Sequence, residues 1–189
     1  MFDRYQREIH YLRLSVTDLC NLRCRYCMPD GVEKLEREAV LTYEEFLRLA
    51  ALFARCGIDT VRVTGGEPLV RKKDVLKLAE KHNDVQFAVY TNSTLIDEPF
   101  CEEVRRLGNI AFMLSIEGTP ETNDARRGEG HYAAVMHAMD LLKKYGIIFG
   151  TSICYTSANY KAVTSDEFMD MLISHGVRFN WYFHYMPIG

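Results

Sequence analysis

The sequence predicts an α/β fold in which six parallel strands form an open, partial (β/α)6 barrel. Short apolar runs typical of strands alternate six times with longer segments of helical periodicity. The alternation is spaced as in βα units, whose right-handed crossovers give a parallel sheet. A closed eight-stranded barrel needs about 250 residues, whereas this chain has 189. We therefore expect a single domain over residues 1–189, with a barrel that does not close.

Each strand is predicted from its own run of residues. Leu12, Leu14 and Val16 alternate with other residues, as in a strand with one buried face. The later strands are apolar runs bounded by turn residues or helix ends. They cover residues 60–64, 85–90, 110–116, 147–154 and 179–185. We find no linker, repeat or low-complexity segment between them in the sequence.

The helices are predicted mainly from their ends. Thr42-Tyr43-Glu44-Glu45 has the form of a capping box, and Gly57 is placed to end the helix that follows. Asp97 and Gly108 bound another helix in the same way. The remaining assignments are helices over 74–82 and 132–145, a helix that begins at a second capping box over 164–167, and polar loops over 30–40 and 123–130.

Composition and charge limit the partners that the chain is expected to have. It is 48% hydrophobic and 26% charged, which is typical of a globular domain. A net charge of −3 gives no electrostatic case for nucleic acid or an anionic membrane. No run approaches the roughly 18 apolar residues of a membrane span, and residues 1–8 lack the apolar core of a signal peptide. We expect a reducing, cytoplasmic location and no nucleic-acid or membrane partner.

Three thiols lie on the loop that leaves the first predicted strand. Cys20, Cys24 and Cys27 have the spacing Cys-x3-Cys-x2-Cys. Sites in parallel α/β proteins are built at the carboxyl ends of the strands, and clustered thiolates can bind one soft metal centre. A [4Fe–4S] cluster closed by protein takes four thiolates, so three leave one iron open. An open position is typical of a metal site that does chemistry.

Two other interpretations of these thiols stay open. A structural zinc site needs a fourth Cys or His close by, and the nearest downstream candidates, Cys56 and His82, are not in such an arrangement. Unrelated core cysteines would have to be buried, which the polar, arginine-bearing loop disfavours. For the isolated Cys56, Cys101 and Cys154 we expect small buried side chains.

A second motif follows the second predicted strand. Gly65-Gly66-Glu67-Pro68 lets backbone approach a ligand closely, and a plain tight turn is the alternative. Together with Cys-x3-Cys-x2-Cys, in which Tyr26 precedes the last cysteine, it resembles the signature of the radical S-adenosylmethionine (SAM) superfamily. Residues 1–73, with Leu14-Ser15-Val16-Thr17-Asp18 and Met28-Pro29, are most similar to the GTP cyclase family of molybdenum-cofactor biosynthesis.

The second half is more similar to radical SAM enzymes that modify peptides or small metabolites, through residues 115–118 and 123–128. The resemblance implies a partial TIM barrel, a [4Fe–4S] cluster on the three cysteines, and bound SAM. It implies reductive cleavage of SAM to methionine and a 5′-deoxyadenosyl radical, which abstracts hydrogen from a small-molecule or peptide substrate. It also implies an external one-electron reductant similar to flavodoxin or ferredoxin.

The same resemblance implies which residues bind SAM. Gly65, Gly66 and Glu67 are implied to hold the methionyl amino group, and the fork of Arg127 suits its carboxylate. From the residues alone, two alternatives stay open: Arg127 as an ordinary helix-loop arginine and Ser115 as a strand-end cap. The full implied set lies at strand ends: Tyr26, Gly65, Gly66, Glu67, Pro68, Asn92, Ser115, Glu117, Arg127, Ser152 and Met186, with Pro187 next to it.

Several functions remain compatible with these motifs. A GTP cyclase of that family carries a second cluster on three cysteines in a C-terminal extension, whereas Cys154 is the last cysteine here. We expect no auxiliary-cluster domain, so a compact core, a trimmed piece and a junction of two relatives all stay open. Another hypothesis is that the chain is a core that cleaves SAM without a dedicated substrate. A non-catalytic iron–sulfur electron carrier would explain the thiols but not Gly65-Gly66-Glu67-Pro68.

Overall fold

The computed structural model describes residues 2–28, 30–31 and 35–186. Pro29, residues 32–34 of the predicted 30–40 loop, and Pro187 lie outside the described residues. Six strands form one parallel sheet in the order β1-β2-β3-β4-β5-β6. They are β1 Tyr11–Ser15, β2 Thr60–Thr64, β3 Gln86–Thr91, β4 Ile110–Ser115, β5 Phe149–Tyr155 and β6 Asn180–His184.

Helices connect the strands. They are α1 Tyr43–Arg55, α2 Lys72–Lys81, α3 Glu98–Leu107, α4 Pro120–Arg127, α5 His131–Lys144, α6 Tyr160–Val163 and α7 Asp166–Ser174, with short 3-10 turns at Arg37–Ala39 and Pro68–Arg71. The sheet curls into a half-barrel, and one core joins buried strand residues such as Val63 and Val89 to helix residues such as Phe46 and Leu142. The predicted partial barrel is therefore confirmed, and all six carboxyl ends lie along one edge.

The predicted helix caps are present where the sequence signal is strongest. The Thr42 hydroxyl accepts from the Glu45 backbone N–H at 3.3 Å, and the Glu45 carboxylate accepts from the Thr42 N–H at 2.7 Å. The Asp97 side chain accepts from the Phe100 N–H at 2.9 Å. Gly108 ends α3 with a φ of 75°, in the left-handed region that favours glycine. Both capping predictions are confirmed.

The prediction of a polar loop over residues 123–130 is wrong. Residues Pro120–Arg127 form α4, which begins at Thr119, whose hydroxyl accepts from the Thr122 N–H at 3.4 Å. The buried side chains of this helix are Asn123 and Arg127, so it has no apolar stripe that periodicity could detect. The helix carries its polar side chains towards the site described below.

Two smaller predictions are also corrected. The cap of α7 is Ser165, not Thr164; the Thr164 hydroxyl instead donates to the Tyr160 carbonyl at 2.7 Å and closes α6. Cys56 is exposed because it lies at the last turn of an amphipathic helix, past its buried stripe. Cys101 is buried, as expected, whereas Cys154 is only half-buried. None of the described helices combines the length and the apolar character needed to cross a membrane.

Leu142→Ala is expected to lower the free energy of unfolding by about 2–5 kcal/mol, because the side chain is fully buried and its loss leaves a cavity. Urea unfolding followed by circular dichroism measures this change. Ile173→Ala is the control, since Ile173 lies on α7 with an exposed side chain and should change the value by less than about 0.5 kcal/mol. Equal effects of both substitutions would contradict the packing described for α5.

Candidate functional site

A cavity of about 190 Å³ opens at the carboxyl edge of the sheet. The cysteine loop after β1, the glycine loop after β2 and the ends of β3 and β4 form its walls. It brings together most of the residues predicted from sequence: Cys20, Cys24, Tyr26, Cys27, Gly65, Gly66, Glu67, Asn92, Ser115 and Arg127. Residues that are more than a hundred positions apart in the sequence therefore line the same cavity, as expected for strand ends of a parallel sheet.

Four predicted residues do not line this cavity. Pro68 is buried behind Glu67 at the start of a 3-10 turn, and Glu117 is buried behind Arg127. Ser152 lies beside Ser115 in the β4–β5 register, and the Met186 side chain is 75% exposed after β6. Their proposed contacts with SAM stay predictions.

Five lining residues were not among the predicted site residues: Leu22, Met28, Thr64, Tyr90 and Thr91. Thr64 and Thr91 are the last residues of β2 and β3, and Tyr90 is the residue before Thr91. Leu22 lies between the first two cysteines. The signal that could have identified the three strand residues is position alone, because the last residues of a strand at this edge lie next to the loop that follows.

The cysteine loop is held as a compact turn. The N–H groups of Cys27 and Met28 both donate to the Cys24 carbonyl, at 3.0 and 3.1 Å. Cys24 is buried, Cys20 half-buried and Cys27 exposed. Burial raises the pKa of the Cys24 thiol, and the Arg127 guanidinium beside it opposes this rise in part. Three thiols on one cavity wall are the donor set that an iron–sulfur cluster takes.

The described part of the cysteine loop does not have the geometry of a mononuclear metal site. Among the described residues, no three Cys, His, Asp or Glu side chains converge closely enough to hold a single metal ion. In a [4Fe–4S] cluster each thiolate binds a different iron, so the ligands surround the cluster and need not meet at one point. Cys20, Cys24 and Cys27 therefore fit that cluster through their chemistry and their shared cavity.

The two glycines bring the cysteine loop against the loop after β2. The Gly66 N–H donates to the Thr17 carbonyl and the Glu67 N–H to the Leu19 carbonyl, both at 2.8 Å. A Cβ atom on Gly65 would lie 2.5 Å from the Thr17 oxygen, and one on Gly66 would lie 2.3 Å from the Leu19 oxygen. These glycines thus permit a close approach between two backbone segments that carry the site.

Glu67 is buried and held by three donors. Its Oε1 accepts from the Leu69 N–H at 2.9 Å and the Thr91 hydroxyl at 2.7 Å, and its Oε2 accepts from the Asn92 N–H at 2.6 Å. Burial raises the pKa of this carboxyl group, and the three hydrogen bonds oppose the rise. A carboxylate has about four acceptor positions, so one remains for a ligand in the cavity.

A buried charge cluster lies behind the cavity. Glu117 Oε1 accepts from Arg127 Nη2 at 2.6 Å and Nε at 3.1 Å, and from the Tyr26 hydroxyl at 3.2 Å. Glu117 Oε2 lies 3.4 Å from Arg126 Nε, and the Arg126 guanidinium stacks 4.3 Å from the centre of the Tyr26 ring. Burial raises the pKa of Tyr26, so its phenol stays protonated and donates. Two arginines against one carboxylate leave a net positive charge.

A buried histidine connects the residue that follows β3 with the middle of α4. His131 Nε2 lies 3.0 Å from the Asn92 carbonyl oxygen, and its Nδ1 lies 2.9 Å from Asn123 Nδ2. A carbonyl oxygen only accepts, so Nε2 carries the proton and Nδ1 accepts from the Asn123 amide. Burial, together with the nearby Arg127 charge, lowers the pKa of His131 to about 4.

The stability of the fold is expected to fall between pH 6.5 and 4 through His131. The unfolded histidine titrates near pH 6.5 and the folded one at about 4, so only the unfolded state takes up a proton in this window. At about pH 4.5 this linkage costs about 2–3 kcal/mol relative to pH 7. Urea unfolding at both pH values should show a smaller loss in His131→Gln. Equal losses in both proteins would contradict the lowered pKa.

Comparisons with known proteins agree with this geometry. The family model for the radical SAM superfamily matches residues 14–173. The GTP 3′,8-cyclase of Geobacter sulfurreducens is 48% identical over 121 residues, which are 62% of this chain and 37% of the relative. That of Heliobacterium modesticaldum is 46% identical over 120 residues, with the same two shares. The chain therefore spans less than half the length of these curated relatives.

A solved structure shows the same fold. The crystal structure of Streptococcus suis SuiB bound to S-adenosylmethionine superimposes with a TM-score of 0.81, at 19% identity, over 95% of this chain and 41% of SuiB. The predicted similarity to GTP cyclases and the predicted partial barrel are both confirmed. Members of the matched family use a [4Fe–4S] cluster and SAM. Because the family model covers most of the chain, this protein belongs to the radical SAM superfamily.

Proposed function

We propose that this chain is the single core domain of a radical SAM enzyme, with a [4Fe–4S] cluster on Cys20, Cys24 and Cys27 and SAM in the adjoining cavity. When bound, these cofactors supply a 5′-deoxyadenosyl radical, formed by one-electron cleavage of SAM, that abstracts hydrogen from a substrate. The observation that carries the proposal is that the three thiols and the Gly65-Gly66-Glu67 loop line the same cavity.

The chain's own residues would bind and orient SAM. Glu67 keeps an acceptor position for the methionyl ammonium group, and its buried charge favours a cation. The net positive charge of Arg126 and Arg127 over Glu117 favours the methionyl carboxylate. The protonated phenol of Tyr26 fixes the Glu117 carboxylate between them. Opposite charges at two points of the cavity would give SAM one orientation.

The partners follow from this chemistry. A flavodoxin- or ferredoxin-like protein is proposed as the external one-electron reductant, and a small molecule or a peptide as the substrate. A reducing cytoplasm is the proposed location, since thiolates and an iron with an open position are readily oxidised.

The proposal is tested by reconstituting the protein with iron and sulfide in the absence of oxygen, then adding SAM and dithionite. We expect about four irons per chain and the formation of 5′-deoxyadenosine and methionine, measured by mass spectrometry. A parallel sample without dithionite should form neither product. Protein that binds zinc in place of the cluster, or a loaded protein that leaves SAM intact, would contradict the proposal.

GTP is the second candidate substrate, because two GTP 3′,8-cyclases are 46–48% identical to this chain over 62% of its length. The same reaction with GTP added should then yield a cyclised nucleotide in step with 5′-deoxyadenosine. Formation of 5′-deoxyadenosine without a cyclised nucleotide would show that the protein cleaves SAM but does not cyclise GTP. That result would favour another substrate.

A further inference from the structure

His131 is a buried polar residue that the proposed reaction does not use. It is the first residue of α5, and only 3% of its surface is exposed. Its imidazole donates through Nε2 to the Asn92 carbonyl and accepts at Nδ1 from Asn123. The Oδ1 of Asn123 in turn accepts from the Glu117 N–H at 3.1 Å. One neutral ring thus connects the end of β3 with the segment that follows β4.

Both sides of the Asn92 backbone are fixed by buried groups. Its N–H donates to Glu67 Oε2 at 2.6 Å, and its carbonyl accepts from His131 at 3.0 Å. A buried carbonyl that lost its donor would be left unsatisfied, at a cost of about 1–3 kcal/mol. Asn92 would then move to recover a partner, so His131 determines where this residue sits.

The side chain of Asn92 is oriented as well. Its Oδ1 accepts from the Thr94 N–H at 3.1 Å and the Thr94 hydroxyl at 2.7 Å. Its Nδ2 therefore faces the cysteine loop, where it donates to Asn21 Oδ1 at 2.9 Å and lies 3.9 Å from Cys20 Sγ. The Leu22 N–H, at 3.4 Å from the same sulfur, is a second donor from within the loop.

Hydrogen bonds to the sulfurs of an iron–sulfur cluster are one of the factors that set its reduction potential. A donor at a thiolate stabilises the reduced cluster more than the oxidised one, because the reduced cluster carries an additional negative charge. Loss of a donor therefore lowers the potential. Residues behind the ligands that orient such donors contribute to the same property.

We propose that His131 is a positioning residue that holds Asn92 so that its amide donates to the Cys20 sulfur, and that this contact raises the reduction potential of the cluster. The inference rests on the proposed function, since it requires a cluster on the three cysteines. It deepens that function by assigning part of the redox control to α5.

The test is a redox titration of the reconstituted cluster without SAM, followed by electron paramagnetic resonance. At the wild-type midpoint, we expect the ratio of reduced to oxidised cluster to fall about fivefold in Asn92→Ala and in His131→Leu, the size of one hydrogen bond. The double variant should show no further fall, because both changes remove the same contact. His131→Gln, which can donate and accept at similar positions, should restore most of the ratio.

His137→Leu is the matched control, because His137 lies on the exposed face of the same helix. It should leave the potential unchanged. If His131→Leu fails to fold, His131→Asn, which is too short to reach both partners, takes its place. An unchanged potential in Asn92→Ala, or additive shifts in the double variant, would overturn the proposal.

A second measurement uses the cluster-free protein and separates this inference from the proposed function. The 15N resonances of His131 should show the neutral ring protonated at Nε2. The side-chain amide resonance of Asn92 should move in His131→Asn but not in His137→Leu. Protein that never binds a cluster, yet shows both results, would refute the proposed function and keep the positioning contact. If the Asn92 side-chain amide resonance does not move in His131→Asn, the contact itself is refuted.

Discussion

Cys24→Ala is expected to lose bound iron and 5′-deoxyadenosine formation together, with product at least about 100-fold below the wild type. Cys24 is the central and most buried of the three thiols, and the turn of the loop closes on its carbonyl. Two remaining thiolates cannot hold three corners of the cluster. Iron and sulfide analysis, the visible absorbance of the reconstituted protein and mass spectrometry of the products measure the loss.

Cys56→Ala is the control for this substitution, because Cys56 is an exposed cysteine at the end of α1, outside the cavity. It should keep its full iron content and product yield. Circular dichroism should show that Cys24→Ala is folded. The loss of iron and product is then caused by the change at the site and not by unfolding. Product formation by Cys24→Ala at wild-type levels would remove the proposed mechanism.

Gly66→Ala has the second-largest expected effect. Its Cβ would lie 2.3 Å from the Leu19 oxygen and 2.7 Å from the Asp18 oxygen, and both are backbone atoms that cannot rotate away. The cysteine loop must shift, and we expect about 1–3 kcal/mol lower stability and a tenfold or greater loss of cluster occupancy. Urea unfolding and iron content measure the two effects.

Gly108→Ala serves as the comparison. A Cβ at Gly108 meets nothing within 4 Å, although its φ of +75° imposes a backbone strain of about 1 kcal/mol. It should lower stability without changing cluster occupancy. Should Gly66→Ala bind iron as fully as Gly108→Ala, the close approach of the two loops would have no role in holding the cluster.

The sequence predicted the architecture well because its signals are local. Strand alternation, the Thr42 and Asp97 caps and Gly108 each act within a few residues, and the structure confirms them. Cys20, Cys24 and Cys27 are also a local pattern, and the parallel sheet then brings distant strand ends to them.

What the sequence did not reveal depends on contacts between distant segments. The helix α4 buries Asn123 and Arg127, whose partners are Glu117, in the segment after β4, and His131 on α5, so no apolar period marks this helix. In the sequence, nothing distinguishes His131 from other polar residues at the start of a helix. Only the fold shows that its ring lies between Asn92 and Asn123. The prediction for Cys56 failed because burial of a residue at a helix end depends on what packs beside it, and Cys56 is exposed past the buried stripe of α1.

The hydrogen bonds from Gly66 to Thr17 and from Glu67 to Leu19 extend the β1–β2 pairing past the ends of both strands. The spacing between the thiols and the Glu67 carboxylate is therefore set by main-chain atoms. The exposed side chain of Leu19 can vary during evolution without altering that spacing, whereas an insertion or deletion in either loop would change it. Amide hydrogens in both segments should also exchange with solvent at similar, slow rates, although the loops lie at the rim of the barrel.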